Sequence, residues 1–342
     1  MNRETGRPCA LGVDVGGTKI AGGLVDDTGA VSHYRVVPTP HASLGDPGLT
    51  ATMALIEGLL EQARCDRCPP TGVGVGFPEF VTTEGELLSR EVIDWRRQPR
   101  DQLEAFGLPV AVESDVRAAG TAETILGAGS NDGSCAYVSV GTGISYCLVE
   151  HGVPRPGASG GAIALGELEV ATSTDRDDEA WTLERFASGA GLAARYRTAT
   201  GTTVTGAAAI AEAAEHGDAD AARMLADAGD ALGAGIATLV HLLDPGSVVL
   251  GGGLSLAGGT YIERCVSGLE RRLMARGVPR SLPVRLAALG AEAGVVGAAL
   301  ACFRRCDVTV EVARDDATPL LATIRSSGRA AAEMETDRRD PR

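Results

Sequence analysis

Lysine is all but missing from this chain. Of its 31 basic residues only Lys19 is a lysine and the rest are arginine, so that one amine reads as a chosen point charge. An excess of basic charge is missing as well. A formal charge of −14 over 342 residues provides no basic patch for nucleic acid or an acidic membrane surface, and neither is expected as a partner. No apolar run approaches the roughly 20 residues that cross a bilayer. The polar start, Met1 to Pro8, leads straight into a strand without a signal-peptide pattern. The expectation is a cytoplasmic protein. Clustered cysteines are also lacking: the eight are scattered, as buried thiols usually are. Cys65-x-x-Cys68 is the exception, but no His stands nearby and it runs into Pro69-Pro70, which favours a loop with two incidental thiols.

What is present is enough for two domains with proper cores, since 44% of the residues are hydrophobic. The organising stretch is Leu11 to Val25, two apolar runs around Gly16-Gly17-Thr18-Lys19 with Asp14 just ahead. A turn this rich in glycine brings backbone N–H groups close to a phosphate, because no Cβ stands in the way. Asp14 beside those phosphates suits Mg²⁺, held directly or through water. An ordinary hairpin turn explains the glycines but not Asp14 and Thr18 clustered with them. A P-loop is excluded, because its G-x-x-x-x-G-K-[ST] pattern is absent and a strand follows the turn. The nearest dinucleotide fingerprint, Gly189-x-Gly191-x-x-Ala194, follows a helical pattern instead of a strand.

Further along, Ala30–Val37 reads as a third strand, Leu49–Ala63 as a helix and Gly72–Gly76 as a buried strand that runs into Pro78-Glu79. In open α/β sheets such a strand end is where ligands sit. Pro109–Glu113 is another strand, and it delivers Ser114-Asp115 to a helix over Val116–Leu126. Local sequence leaves open whether Asp115 does chemistry or whether Ser114 or Asp115 merely caps that helix. Ala136–Val140, Gly141-Thr142-Gly143 and Ile144–Val149 repeat the opening strand–turn–strand pattern, which suggests a duplicated architecture. Leu183-Glu184 opens a helix through Tyr196, residues 206–243 are helical with a polar break near 215–220, and Ser247–Leu250 is a strand ending in Gly251-Gly252-Gly253. Tyr261–Arg276 reads as helix, Val284–Ala288 as a strand and Ala291–Cys302 as a small-residue helix. Residues 173–179 form a charged loop. From Asp307 the pattern degrades into a tail, 307–342, partly disordered.

Together these motifs resemble the ROK family of sugar kinases, within the actin/hexokinase-like ATPase fold. The likeness runs from about Leu11 to Cys302 and rests on Asp14-x-Gly-Gly-Thr-Lys19, Glu113-Ser-Asp115 with Glu123 after it, Gly141-Thr-Gly143, Gly166-Glu167, Leu183-Glu184, Gly251-Gly-Gly253 and Gly294-Val-Val-Gly-Ala298. The resemblance implies a two-lobed α/β fold, ribonuclease H-like, with the active site in the interdomain cleft. An N-terminal lobe of 1–114, completed by a helix near 292–306, would precede a C-terminal lobe of 115–291. It further implies ATP with Mg²⁺ as cofactors, Asp115 as the base that accepts a proton from a sugar hydroxyl, and a homo-oligomer, commonly a dimer. Gly16–Lys19, Gly141–Gly143 and Gly251–Gly253 would hold the nucleotide. Pro78, Glu79, Ser114, Asp115, Glu167 and Glu184 would line the acceptor.

Several positions depart from the family pattern. Ser114 replaces an Asn, Glu79 a glycine and Val170 a His that would touch the sugar and ligate zinc. The family's zinc loop is absent, so no structural zinc is expected. A pocket that has lost an amide and an imidazole suits an altered acceptor. A C7-cyclitol therefore competes with glucose, mannose or an N-acetylhexosamine. The other functional readings are a ROK-type sugar-responsive regulator and a non-catalytic sugar-binding protein. The first is disfavoured by the thirteen residues before Asp14 and by the acidic charge, the second by the retained Asp14, Thr18, Lys19 and Asp115.

Overall fold

The computed structural model describes residues 7–40, 46–130, 132–170, 181–204, 206–257, 259–274, 281–311 and 320–325. In chain order the first elements are β1 (Cys9–Val15), β2 (Lys19–Asp26), β3 (Val31–Pro38), α1 (Pro47–Cys65), β4 (Val73–Phe77) and α2 (Pro99–Leu103). They are followed by β5 (Val110–Ser114), α3 (Asp115–Ile125), β6 (Ser134–Val140), β7 (Ile144–Glu150), β8 (Val153–Pro154), β9 (Glu169–Val170) and β10 (Trp181–Thr182). Next come α4 (Leu183–Ala187), α5 (Gly189–Thr200), α6 (Ala207–Glu215), α7 (Ala219–Leu243), β11 (Ser247–Gly251) and α8 (Gly253–Ala257). Last are α9 (Gly259–Met274), β12 (Ser281–Leu286), α10 (Ala293–Arg305) and β13 (Leu320–Arg325).

Two larger sheets share one plan. The first has the order β3-β2-β1-β4-β5, with β1, β2 and β3 antiparallel neighbours and β4 and β5 parallel to β1. The second has the order β13-β12-β11-β6-β7-β8. In both, a hairpin-led run of three strands is continued by two strands that arrive later in the chain. The duplicated turn pattern in the sequence thus corresponds to a repeated strand order.

Period-two alternation decides what each face of the first sheet meets. Leu11, Val13 and Val15 of β1, with Val73, Val75 and Phe77 of β4, join Leu49, Leu55, Ile56 and Leu59 of α1 in one apolar cluster. The intervening positions are small, and Ala10 and Ala21 meet Val295, Val296, Ala299 and Phe303 of α10. Here glycine is a packing requirement. A Cβ on Gly74 would overlap the carbonyl of Ala298, and one on Gly297 would overlap the carbonyl of Ala118 in α3.

That close α3–α10 contact also explains where the chain divides. One compact unit comprises Met1–Tyr137, Tyr146–Ile163 and Ala288–Ala317, and the other Val138–Ser145, Ala164–Ala287 and Thr318–Arg342. The boundary therefore does not fall at 114/115, because α3 packs on α10 and the first sheet and stays with the first unit. In the second unit the 25-residue α7 packs on α9.

The helix expected over 183–196 is two helices. Ser188 stands between them in extended conformation, and its Oγ accepts from Gly191 N at 3.0 Å. Within the 307–342 tail, β13 pairs antiparallel with β12, because a sheet edge recruits backbone whatever the side-chain pattern. The charged loop 173–179 and the rest of the tail, 312–319 and 326–342, lie outside the described residues. Cys68 faces Cys9, with Sγ atoms 2.8 Å apart, while Cys65 is exposed at the end of α1.

The packing makes a specific prediction. Gly74→Ala drives a methyl group into backbone that cannot rotate away. It is expected to lower stability by about 2–3 kcal/mol, seen as a lower urea midpoint at unchanged slope.

Candidate functional site

In the first unit, strand order brings together residues far apart in sequence. Asp14 is opposite Gly76 in the β1–β4 register, and Phe77 is opposite Ser114 in the β4–β5 register. The C-terminal ends of three parallel neighbours thus deliver Asp14, Pro78-Glu79 and Ser114-Asp115 to one edge of the sheet, the usual ligand edge of such folds. Gly76 lies between the two aspartates: a Cβ there would be 3.5 Å from Asp115 Cα and 3.8 Å from Asp14 Oδ1.

The Gly16–Lys19 turn is closed by Gly16 N donating to Lys19 O at 2.8 Å, and Thr39 Oγ1 donates to Gly16 O at 2.6 Å. Thr18 and Lys19 are exposed. Asp14 is half-buried, and Gly294 in the first turn of α10 packs so close that a Cβ would sit 2.5 Å from its Cγ. Loss of hydration pushes the Asp14 carboxyl up to about 6, against the pull of the Lys19 ammonium.

Asp115 is the first residue of α3, and Ser114 occupies the N-cap position without a side-chain capping bond. Asp115 Oδ1 accepts from its neighbour Val116 N at 2.6 Å and from Ser114 Oγ at 3.4 Å. The carboxyl is pushed up to about 7, first by burial and then by the Asp14 charge, with Glu79 adding to the rise and the two hydrogen bonds opposing it. Two carboxylates near one another and short of water share a proton affinity suited to proton transfer near neutral pH.

Glu79 is only 3% exposed, and its carboxylate accepts from Ser89 Oγ and from Glu91 N, Val92 N and Ile93 N at 3.0, 3.1 and 3.2 Å. It is thus placed as a buried anchor with both oxygens engaged by protein. Sequence reasoning missed Arg117 altogether. Its buried guanidinium pairs with Glu113 and donates to Val81 O at 2.6 Å and Gly160 O at 3.0 Å. The available signal was Glu113 four residues before it across the strand–helix junction.

The second unit gathers the other predicted residues. Gly141 N donates to Gly143 O at 3.0 Å, closing a turn like the first one. The start of α5 holds that turn, with Gly189 N on Gly141 O at 2.8 Å and Ala190 N on Thr142 O at 3.2 Å. Glu184 Oε2 accepts from Ile144 N at 2.7 Å, so this carboxylate supports the turn. Gly252, at φ +83°, lies against the end of β6, where a Cβ would be 2.6 Å from the Val140 carbonyl carbon. Gly141–Gly143, Gly251–Gly253 and Glu184 are therefore neighbours. Glu167 stands exposed at the end of the short turn Leu165–Glu167, beside Gly166, which packs on Glu184.

Among the described residues no group of three or more His, Cys, Asp or Glu side chains is placed to hold a metal ion, and no helix is long and apolar enough to cross a membrane.

Comparisons with known proteins agree in direction. A model of the ROK family matches residues 10–304. A glucokinase from Streptomyces coelicolor is 30% identical over 312 residues, covering 84% of this chain and 96% of the relative. An N-acetylgalactosamine kinase from a Shewanella strain is 29% identical over 306 residues, with 84% and 95% covered. Among solved structures, the ROK hexokinase of Thermus thermophilus matches with a TM-score of 0.74 at 32% identity over 87% of this chain and 99% of its own. A ROK glucokinase of Streptomyces griseus, solved with glucose and AMPPNP, matches with a TM-score of 0.70 at 30% identity over 85% and 98%.

The raised Asp115 carboxyl has a consequence for stability. Between pH about 4 and about 7 the folded chain keeps a proton that the unfolded chain releases, so stability falls as pH rises through that window. Asp115→Asn cannot ionise. Thermal melts should show the variant gaining on the order of 2 kcal/mol over the parent at pH 8, with the gain vanishing near pH 4.

Proposed function

The chain belongs to the ROK family, and from that premise we propose that it transfers the γ-phosphoryl group of ATP to a hydroxyl of a hexose or a hexose-like carbocyclic polyol, with Asp115 as the general base. The fold is the actin/hexokinase-like fold of that family, and the chain is a carbohydrate kinase. The observation that carries the mechanism is Asp115 itself: half-buried, beside Asp14, with a carboxyl pushed up to about 7.

In this reading the acceptor hydroxyl gives its proton to Asp115 as its oxygen attacks the γ-phosphorus in line, and ADP leaves. Positioning and charge neutralisation do most of the work in such transfers. Backbone donors of the Gly16–Lys19 turn, the Lys19 ammonium and the Gly141–Gly143 and Gly251–Gly253 turns would hold the nucleotide. Mg²⁺ bound to nucleotide keeps most of its waters and asks for only one or two carboxylates, so Asp14 with its raised proton affinity fits it without a larger protein cage. When bound, the ion neutralises charge on the β- and γ-phosphates.

The acceptor is the open part of the reading. Ser114 and Val170 offer neither an amide nor an imidazole to a hydroxyl, and Glu79 is committed to the protein interior. These losses support an acceptor other than plain glucose, for which a C7-cyclitol is the leading candidate beside mannose and N-acetylhexosamines. A homodimer is part of the same reading.

Coupled ADP release with Mg-ATP should reveal turnover on one member of a panel of glucose, mannose, N-acetylhexosamines and C7-cyclitols. Asp115→Asn should cut kcat by about 10³-fold while nucleotide affinity stays within about twofold. For the parent, kcat/KM should rise with pH through about 7, because only the ionised carboxylate accepts the proton. Undiminished turnover in Asp115→Asn would overturn the base assignment.

A further inference from the structure

Glu79 stands where the family pattern places a glycine, and it is the most heavily hydrogen-bonded carboxylate at this edge of the first sheet. Besides Ser89 Oγ and the three consecutive amides of Glu91, Val92 and Ile93, it accepts from Trp95 Nε1 at 3.3 Å. Successive N–H groups converging on one anion form a nest, and bonds to a charged acceptor are stronger than neutral ones. A buried carboxylate is tolerated only with such a set of donors. The donors in turn depend on it, since residues 89–95 form neither helix nor strand and their amides need a partner.

The loop so gathered is attached to the site on several sides. Trp95 is buried and meets Phe77, at the end of β4, edge to face at 5.1 Å. Val92 Cγ1 lies 2.8 Å from the position a Cβ on Gly17 would take, so the loop rests on the Gly16–Lys19 turn. Ser89 Oγ also accepts from Phe80 N at 3.0 Å. Glu91 and Asp94 are left exposed on the loop, where their carboxylates can accept hydrogen bonds from hydroxyls.

We propose that Glu79 is a positioning residue: by gathering the amides of residues 91–93 and the Trp95 indole it preforms the 89–95 loop as a wall of the acceptor site, and the wall selects a polyol by hydrogen bonds from its hydroxyls. This rests on the kinase reading above. It assigns Glu79 an indirect role, with the loop in contact with acceptor. Without the anchor the loop samples other shapes, and acceptor binding must first select the competent one.

The test combines kinetics with amide exchange. In Glu79→Gln, one oxygen becomes an NH₂ facing N–H donors. The acceptor KM should rise about tenfold, the ATP KM should stay within about twofold, and Glu91, Val92 and Ile93 amides should lose protection. Glu79→Asp, which keeps the charge one methylene short, should recover part of the affinity. Because Glu79→Gln removes a buried charge and could fail to fold, Trp95→Phe serves as the second variant. It keeps the ring and removes one donor, and should raise the acceptor KM about threefold with little change in kcat. A folded Glu79→Gln or Trp95→Phe protein with parental acceptor KM overturns the proposal, as does unchanged amide protection in Glu79→Gln. If the parent phosphorylates no acceptor, the kinase reading fails, and the exchange experiment still decides whether Glu79 holds the loop.

Discussion

Two carboxylates held near each other with little water between them are the constraint on which the first unit turns. Asp14 and Asp115 each become harder to ionise through burial, and Asp14 adds to the burden on Asp115. Keeping them there costs stability that the surrounding packing must supply. The packing is correspondingly tight: α1 covers one face of the sheet with large apolar side chains, while α10 and α3 approach the other through small ones. The strain of an ill-hydrated pair is thus borne by backbone elements that cannot drift apart.

The second unit solves a different problem, the shape of a turn. Its glycine turn is held by the first N–H groups of α5 and by Glu184, which takes the Ile144 amide. Free amides at a helix start are ordinarily left for capping side chains or ligands. Here two of them are used internally to fix a loop, and the break in the helix at Ser188 is the visible result.

Much of the architecture was legible in the sequence, and the reasons differ by element. The β1–β2 hairpin and the α1 helix announced themselves by periodicity, and the repeated glycine–threonine turn foretold a repeated strand order. Asp115 was found as a strand–helix junction acid, although the choice between base and cap needed the family resemblance. The unit boundary was not legible, because the small residues joining α3 to α10 carry no pattern that names their partner. Glu79 was taken for an acceptor ligand because its donors lie 10–16 residues further on in an irregular loop. Glu184 was misjudged in the same way, its donor being 40 residues upstream. In each case the side chain was right and its partner was hidden by sequence distance. The β13 edge strand escaped notice because pairing at a sheet edge is a backbone affair.

The scarcity of lysine has a practical side. Lys19 is exposed at the mouth of the first glycine turn and is the one side-chain amine the chain offers to acylating chemistry. A label or a sensor surface attached through side-chain amines would therefore land on the nucleotide's proposed seat in every molecule, silencing what it was meant to observe. Thiol coupling at the exposed Cys65 leaves that turn clear.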